Sequence, residues 1–465
     1  MTLREGRGLA RHTVTAMLFL ACAVVFGGGG SPNPATEIIL QLAFVACALG
    51  WLWLPTPDGR ILMPRSRRFW WICALVLALP LLQLVPLPPA IWTALSGNED
   101  RAAALALVGR ENRWQPLTHS PARTLASLLA IVPALFAFFT SAALDAKGRR
   151  ALAATIAALV LAAALLGAVQ VSMGPDGPYL YAQNNRTLTG FQANRNAAAD
   201  VFLIGMAAGA AFAAPWLAGG VERNGRRPGL LADRRAAAVA LAGLVVLLLF
   251  ATLFTASRTG IALLPLVLVG VCAIVWPALR EFGRWRWVPP FAALAAVPAI
   301  ALAALPGGNT ALGTVAERFV FADDARRELW RDAWFAVQHN WPLGVGVGGA
   351  QPALLAAERL EVLQPLVPNR VHNDYLELAL EGGLPALLVL AAIAGILGHA
   401  LWRSWRDRPG ERPLIAFGAV AILVIALHSF VDYPLRSMAL ACLVGTGAGL
   451  LIGTPRRLAH NEPSA

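Results

Sequence analysis

"RVHNDYLELALEGGLPALLVLAAIAGILGHAL", residues 370–401, carries two signals at once. Its second half is an unbroken apolar run of the kind that crosses a hydrocarbon core of about 30 Å. Its head holds His372, Asn373, Asp374, Glu377 and Glu381. Burying such side chains near lipid costs several kcal/mol unless they line a cavity or do chemistry. At helical spacing, residues 373, 377 and 381 share one face, with His372 and Asp374 beside it. A polar stripe descending two turns into lipid depth predicts a cavity along that face. Gly382 and Gly383 permit close approach of a neighbouring helix.

Outward from this segment the apolar signature recurs. The 465 residues are 57% hydrophobic and 14% charged, whereas soluble domains carry roughly 25% charged residues. Twelve segments reach bilayer length, at approximately 13–30, 35–54, 70–88, 124–143, 151–171, 197–218, 237–255, 260–279, 288–305, 373–401, 413–431 and 437–454. The expectation is an all-α, polytopic membrane protein forming a single domain over 1–465, with the lipid bilayer as its solvent. The first segment lacks a following cleavage signature and reads as a retained helix. Cys22, Cys47, Cys73, Cys272 and Cys442 all fall in apolar segments without metal-ligand spacing, which points to packing.

The net charge of +12 does not advertise a nucleic-acid partner. With the N-terminus inside, nearly every inner loop is basic: "RSRR", "KGRR", "ERNGRR", "REFGRWR", "RSWRDRPGER" and "TPRR". That is the positive-inside pattern, and it puts both termini in the cytoplasm. Three outer regions exceed mere connectors, at about 89–123, 172–196 and 306–372. The last holds "DDARRELWRDAWFAVQHNW", where Asp323 and Asp324 suit a helix start. Leu329, Trp330, Trp334 and Val337 fit an amphipathic helix at the membrane interface. The outer loops together read as a cap.

Polar groups that could carry chemistry gather at this outer side. Arg258, in "TASRTG", sits in a tight turn between two apolar segments, where a guanidinium either snorkels to headgroups or offers a fork to phosphate. Arg186 and Arg195 flank "TLTGFQAN", and Asn194 and Asn196 suit the cap of the helix that follows. A helix N-terminus there would favour anions. Asp200 reads as a first-turn acid favoured by the helix dipole. His428 and Asp432, four apart in "HSFVDYPLR", read as a pair in which the acid orients the imidazole. Arg370 adds a further cation. "GVGVGG", residues 344–349, satisfies a dinucleotide-binding pattern but follows no strand, so it reads as a flexible turn. His339, next to Trp341 and Pro342, reads as loop structure, and His399 reads as incidental.

Several cations with one histidine, roofed by loops, suit a lipid-anchored phosphate or diphosphate substrate. The arginines would offset charge developing on the departing diphosphate, and a neutral His372 would accept a proton from an acceptor hydroxyl. No cluster resembles a complete metal site, so metal independence and the absence of a cofactor are the simpler expectation.

These motifs also resemble a known family. "HNDYLELALEGGLPALL" looks like the H-N-x-x-L-x-x-x-x-E-x-G signature of the O-antigen ligase and polymerase superfamily. "TASRTG" resembles its arginine turn, and "RTLTGFQANRNAAA" its arginine–glycine–asparagine segment. "RRELWRDAWFAVQHNWPLGVGVG" and "HSFVDYPLR" are similar to segments of its exopolysaccharide and O-antigen members. The resemblance spans about 180–440. It implies a C-type glycosyltransferase-like fold in the bacterial inner membrane, with the site facing the periplasm. The implied donor is an undecaprenyl-diphosphate-linked glycan; the implied acceptor is lipid A-core or a growing polysaccharide. His372 becomes the base and Arg186 and Arg258 the grip on the diphosphate. Arg370, Asn373, Glu381, Asn194, Asn196, His428 and Asp432 are expected to contact substrate. Where the family usually has a proline between the two asparagines, this chain has Arg195, which leaves that residue without a family role.

The leading expectation is therefore a ligase-like glycosyltransferase. A polymerase joining repeat units shares the same donor chemistry. A transporter of a lipid-linked or anionic solute would place its site near the midplane between related halves, and no related halves are evident. A scaffold for a glycan-export complex would leave His372 and Arg258 replaceable.

Overall fold

The structure, a computed structural model, describes residues 10–29, 34–54, 61–181, 187–219, 234–280, 325–362 and 368–453. In chain order the helices are α1 (Arg11–Phe26), α2 (Pro34–Trp53), α3 (Arg67–Gln83), α4 (Pro89–Trp92), α5 (Glu99–Leu107), α6 (Pro121–Ala143) and α7 (Ala146–Met173). There follow α8 (Arg195–Leu217), α9 (Arg234–Phe254), α10 (Arg258–Leu279), α11 (Ala325–His339), α12 (Ala350–Ala357), α13 (Asp374–Asp407), α14 (Arg412–His428) and α15 (Met438–Ile452). One two-residue antiparallel pairing, β1 (Pro86–Leu87) with β2 (Gln115–Pro116), interrupts this all-α pattern.

Among the described residues eight helices are long and apolar enough to cross a membrane, and α1 and α15 are shorter apolar helices. The chain is a multi-pass membrane protein. The expected third segment is the 17-residue α3, which carries Pro80 and is not among the eight. The expected ninth, 288–305, lies outside the described residues, as do Asp323 and Asp324.

The bundle is organised around α8, which is buried on nearly all sides. Its alanine-rich sequence explains this. Lipid tails are as apolar as any side chain, so helices in a bilayer associate by close van der Waals contact, and small residues let backbones approach. Helices α7, α9, α10 and α14 pack around it. The same logic sets "GTGAG" of α15 tightly against α6.

At the end of the bundle expected to face inward, arginines do more than set orientation. Arg149, 1% exposed, donates to the carbonyls of Ser141 and Ala142 and pairs with Glu411 at 2.7 Å. Arg408 reaches the same Glu411 oxygen and the carbonyls of Leu450 and Leu451. The two guanidiniums thus satisfy last-turn carbonyls of α6 and α15, which have no partner inside their own helices. Burial, with Arg149 nearby, pushes the Arg408 guanidinium down to about 10, which leaves it charged at neutral pH.

The other end is governed by a break in α13. Gly383 has φ 55° and ψ −145°, a conformation open essentially only to glycine. The break frees backbone groups, which cannot stay unpaired at membrane depth. The glycine-rich segment 342–348 supplies their partners. Leu384 N donates to Pro342 O at 2.8 Å, and Val345 N and Gly346 N donate to the Leu380 and Glu381 carbonyls. Buried Gln83 bonds to Glu381 O and accepts from Val347 N, and Thr124 donates to Val347 O. Thus "GVGVGG" is not the flexible turn expected from composition but a segment bound at almost every step, with Val345 only 2% exposed. Gly383 admits this loop, because a Cβ there would collide with the Pro342 carbonyl, whereas Gly382 faces Leu79 of the neighbouring α3 as expected.

Gly383→Ala is expected to cost at least about 3 kcal/mol, since it combines a disallowed backbone conformation with that collision. Thermal unfolding in detergent checks this. Gly395→Ala, at a helical glycine with nothing within 4 Å of the added carbon, should leave the midpoint unchanged or slightly raised.

Candidate active site

The first turn of α13 is built by its cap. The Asn373 side chain accepts from the backbone N–H groups of Tyr375 and Leu376, both at 3.0 Å, which satisfies two otherwise orphaned donors. Asp374 and Glu377 sit in that turn, where the helix dipole favours negative charge.

The polar stripe does not line a cavity at Glu377 and Glu381, which are 0% and 1% exposed. Glu377 pairs with Arg370 at 3.0 Å and Arg436 at 2.9 Å, and it accepts from Val371 N at 3.0 Å. Glu381 pairs with Arg436 at 2.7 Å and accepts from Gly348 N at 2.9 Å. All four carboxylate oxygens are therefore used inside the protein. Two acids and two guanidiniums form a clasp that joins α13, the glycine loop and the segment after α14. A buried pair survives desolvation only when its remaining valences are hydrogen-bonded, as here. Arg370 and Glu381 were expected at the substrate, and here they frame the site. Arg436 escaped the sequence reading, although two acids on a buried helix face demanded more positive charge than Arg370 supplies.

His372 lies just ahead of the cap with φ 55°. A left-handed residue other than glycine costs roughly 1–2 kcal/mol, and such strain clusters at functional sites. Its surroundings over-determine it. Trp330 on α11 donates to Val371 O at 3.0 Å, while Asp374 N donates to the Ser429 and Asp432 carbonyls. The His372 Nδ1 lies 3.1 Å from Asp432 Oδ1, and the ring meets Tyr433 edge-on with centroids 4.8 Å apart. Asp432 is 3% exposed. Its Oδ1 also accepts from Tyr433 N, and its Oδ2 accepts from the Asn196 amide. Burial opposes charge on Asp432, but the hydrogen bond from His372, the nearby His428 and the Asn196 amide outweigh it and hold the carboxyl below its usual range. A charged Asp432 accepts a hydrogen bond from Nδ1–H and so fixes the tautomer whose lone pair is on Nε2. The His372 side chain is 30% exposed, so that lone pair can meet a substrate.

The expected His428–Asp432 pair is different in the structure. α14 ends at His428 and the chain turns through 429–433, and although Asp432 N still donates to His428 O at 3.1 Å, the two side chains do not hydrogen-bond directly. Asp432 serves His372 instead, with His428 Nε2 4.0 Å from its Oδ2. His428 Nδ1 is bonded to Asp200 Oδ1 at 2.7 Å. Asp200, expected as a first-turn acid favoured by the helix dipole, is 0% exposed on α8 and bound to that imidazole. Its signal in the sequence was an acid inside an alanine-rich span, where such residues are expensive and seldom idle.

Asn194 caps α8, with its side chain accepting from Asn196 N at 2.7 Å, and Asn196 is released to bind Asp432. Arg195 opens the helix. Arg258 opens α10, whose cap is Ser257, accepting from Gly260 N at 3.2 Å. The residue before that cap, Ala256, is the other non-glycine with positive φ among the described residues (54°). Gly260 presses directly on Ala199 of α8, which brings the start of α10 against the turn that carries Asn196. Arg258 has no carboxylate partner among the described residues. Arg186 lies outside them, but Leu188 N donates to Phe254 O at 3.2 Å, tying the segment after it to the approach of the arginine turn.

Residues 243–391 match a family model described as O-antigen ligase, a stretch that carries Arg258 and His372. This match is consistent with the O-antigen ligase and polymerase superfamily, and it supports a glycosyl-transferring role in O-antigen or polysaccharide assembly. A search of curated proteins returned no match. Asn196, Asp200, His428, Asp432 and Arg436 all lie outside the matched stretch.

Removing Arg436 while keeping its bulk tests the clasp. Arg436→Met leaves Glu377 and Glu381 buried with insufficient positive charge, and a loss of about 3–5 kcal/mol is expected in detergent unfolding. A wild-type midpoint would show that the clasp does not hold the fold.

Proposed function

We propose that this chain transfers a glycan from an undecaprenyl-diphosphate carrier to an acceptor hydroxyl on the periplasmic side of the inner membrane, as a ligase. The observation that carries this reading is the His372–Asp432 pair. A strained, partly exposed imidazole is held at Nδ1 by a buried, fully hydrogen-bonded carboxylate. That is the posture of a general base.

In this reading the acceptor hydroxyl gives its proton to His372 Nε2 as its oxygen bonds to the anomeric carbon of the donor sugar. The bond from that carbon to the diphosphate oxygen breaks, and the electron pair leaves on the diphosphate. Arg258 and Arg186 stabilise that charge, with the α8 N-terminus as a further favourable dipole. His372 then releases its proton from Nε2 to solvent. Asp432 stays charged throughout and balances the imidazolium. Lipid A-core is the acceptor in the ligase reading, and a growing polysaccharide is the acceptor if the enzyme is a polymerase.

With purified protein and a lipid-linked donor, His372→Ala is expected to lose about 10²- to 10⁴-fold in turnover while remaining folded. Wild-type turnover in that variant would overturn the assignment of the base. Deleting the gene then separates the acceptors. Long glycans stranded on the carrier with bare core outside mean a ligase, whereas single repeats mean a polymerase. No change in either pool would overturn both and favour a transporter or scaffold.

A further inference from the structure

Behind the base lies a second histidine–carboxylate pair that the reaction as written does not use. Asp200 and His428 are both 0% exposed, and each keeps one polar atom without a hydrogen-bond partner among the described residues: Asp200 Oδ2 and His428 Nε2. A buried polar atom without a partner is uncommon enough to require a reason. Both residues line a cavity of about 20 Å³ that is also bordered by Asn194, Asn196, Asp432 and Ser437. This is room for about one water, which needs some 10–15 Å³ and two or more polar partners. His428 Nε2 stands 4.0 Å from Asp432 Oδ2, too far for a direct hydrogen bond.

We propose that Asp200 and His428, linked to Asp432 through one water in this cavity, are positioning residues that hold the His372–Asp432 pair in register. The proposal rests on the reading of His372 as the base. Asp432 sits in a turn rather than on a helix, so its orientation needs an outside reference. α8 supplies it. Asn196 and Asp200 are four apart on that helix and face the same way. Asn196 binds Asp432 Oδ2 directly, and Asp200 fixes the His428 ring at Nδ1 so that Nε2 is aimed at the same oxygen through the water. With Oδ2 held, Oδ1 is left for His372. The most buried helix of the bundle thereby positions the base, although neither Asp200 nor His428 touches substrate. No proton passes to the inner pair; it holds the carboxylate that balances the imidazolium.

The charged and titratable groups around the two pairs come from every packed element. They are Asp200 from α8, Arg326 from α11, donating to Val431 O at 2.8 Å, and Asp374 from α13, accepting from Ser429 Oγ at 2.9 Å. His372, Asp432 and Tyr433, which lines the same cavity and packs on the His372 ring, stand beside them.

The test uses the purified full chain with a lipid-linked glycan donor. In Asp200→Asn and His428→Gln, kcat is expected to fall about 10- to 100-fold with KM for the donor unchanged. The acid limb of the pH–rate profile should also move, because the charge behind His372 has changed. A purely packing role would lower the unfolding midpoint but leave the profile of the folded enzyme in place. Wild-type kcat and profile, or a loss confined to KM, would overturn the proposal. His372→Ala runs alongside. If it is inactive while both variants behave as wild type, only the positioning role fails; if it is active, the base assignment fails first. Should neither variant fold, ¹⁵N-histidine NMR of wild type and His372→Gln decides. The His428 ring resonance is expected to shift through the shared Asp432, and an unchanged resonance would sink the proposal.

Discussion

Two carboxylates buried on one face of α13 constrain everything at the catalytic end of this protein. Glu377 and Glu381 are each too costly to bury alone, so the fold must deliver cations and N–H groups to them from elsewhere. Arg370 comes from the segment just before the helix, Arg436 from beyond α14, and Gly348 N from the loop that fills the break at Gly383. Satisfying the acids therefore pins three separate stretches of chain. His372 and Asp432 lie on two of those stretches. Their mutual geometry follows from charge satisfaction a turn away.

The break in α13 and the clasp are parts of one solution. A continuous helix would pair the Leu380 carbonyl with Leu384 N and leave only the Glu381 carbonyl, opposite Pro385 and its missing N–H, for residues 342–348 to bind. Once Gly383 turns the chain aside, the glycine loop enters, and its N–H groups reach both backbone carbonyls and the Glu381 side chain. α11 closes the arrangement through two side chains one turn apart. Trp330 binds the carbonyl of Val371 and Arg326 that of Val431, the residues just ahead of His372 and Asp432. The left-handed conformation of His372 is held by backbone contacts on both sides.

Much of this was legible in the sequence. Hydropathy announced an all-helical membrane bundle, and Asn194 read correctly as the cap of α8, whereas Asn196, read as its companion cap, binds Asp432 instead. What stayed hidden has a common physical cause. Periodicity reports which residues share a face of one helix, but not which partner a distant segment brings to that face. The stripe at 373, 377 and 381 was real, yet its acids met Arg370 and Arg436 instead of a cavity. His428 and Asp432 have helical spacing, but the helix ends between them. Asp200 looked like a dipole-favoured acid because its partner lies 228 residues away. Composition described "GVGVGG" as flexible because it cannot register a neighbouring helix that needs its N–H groups.

The order in which these pieces leave the ribosome has its own consequence. Asn196 and Asp200 are made early, His372 and the two buried acids much later, and Asp432 and Arg436 almost last. While α13 is threading into the bilayer, Glu377 has only Arg370 as a counterion, and Glu381 must wait for Arg436, which has not yet been synthesised. His372 likewise has no carboxylate until α14 has crossed. A nascent or truncated chain thus carries an unassembled His372–Asp432 pair, which forms only when the last helices have docked.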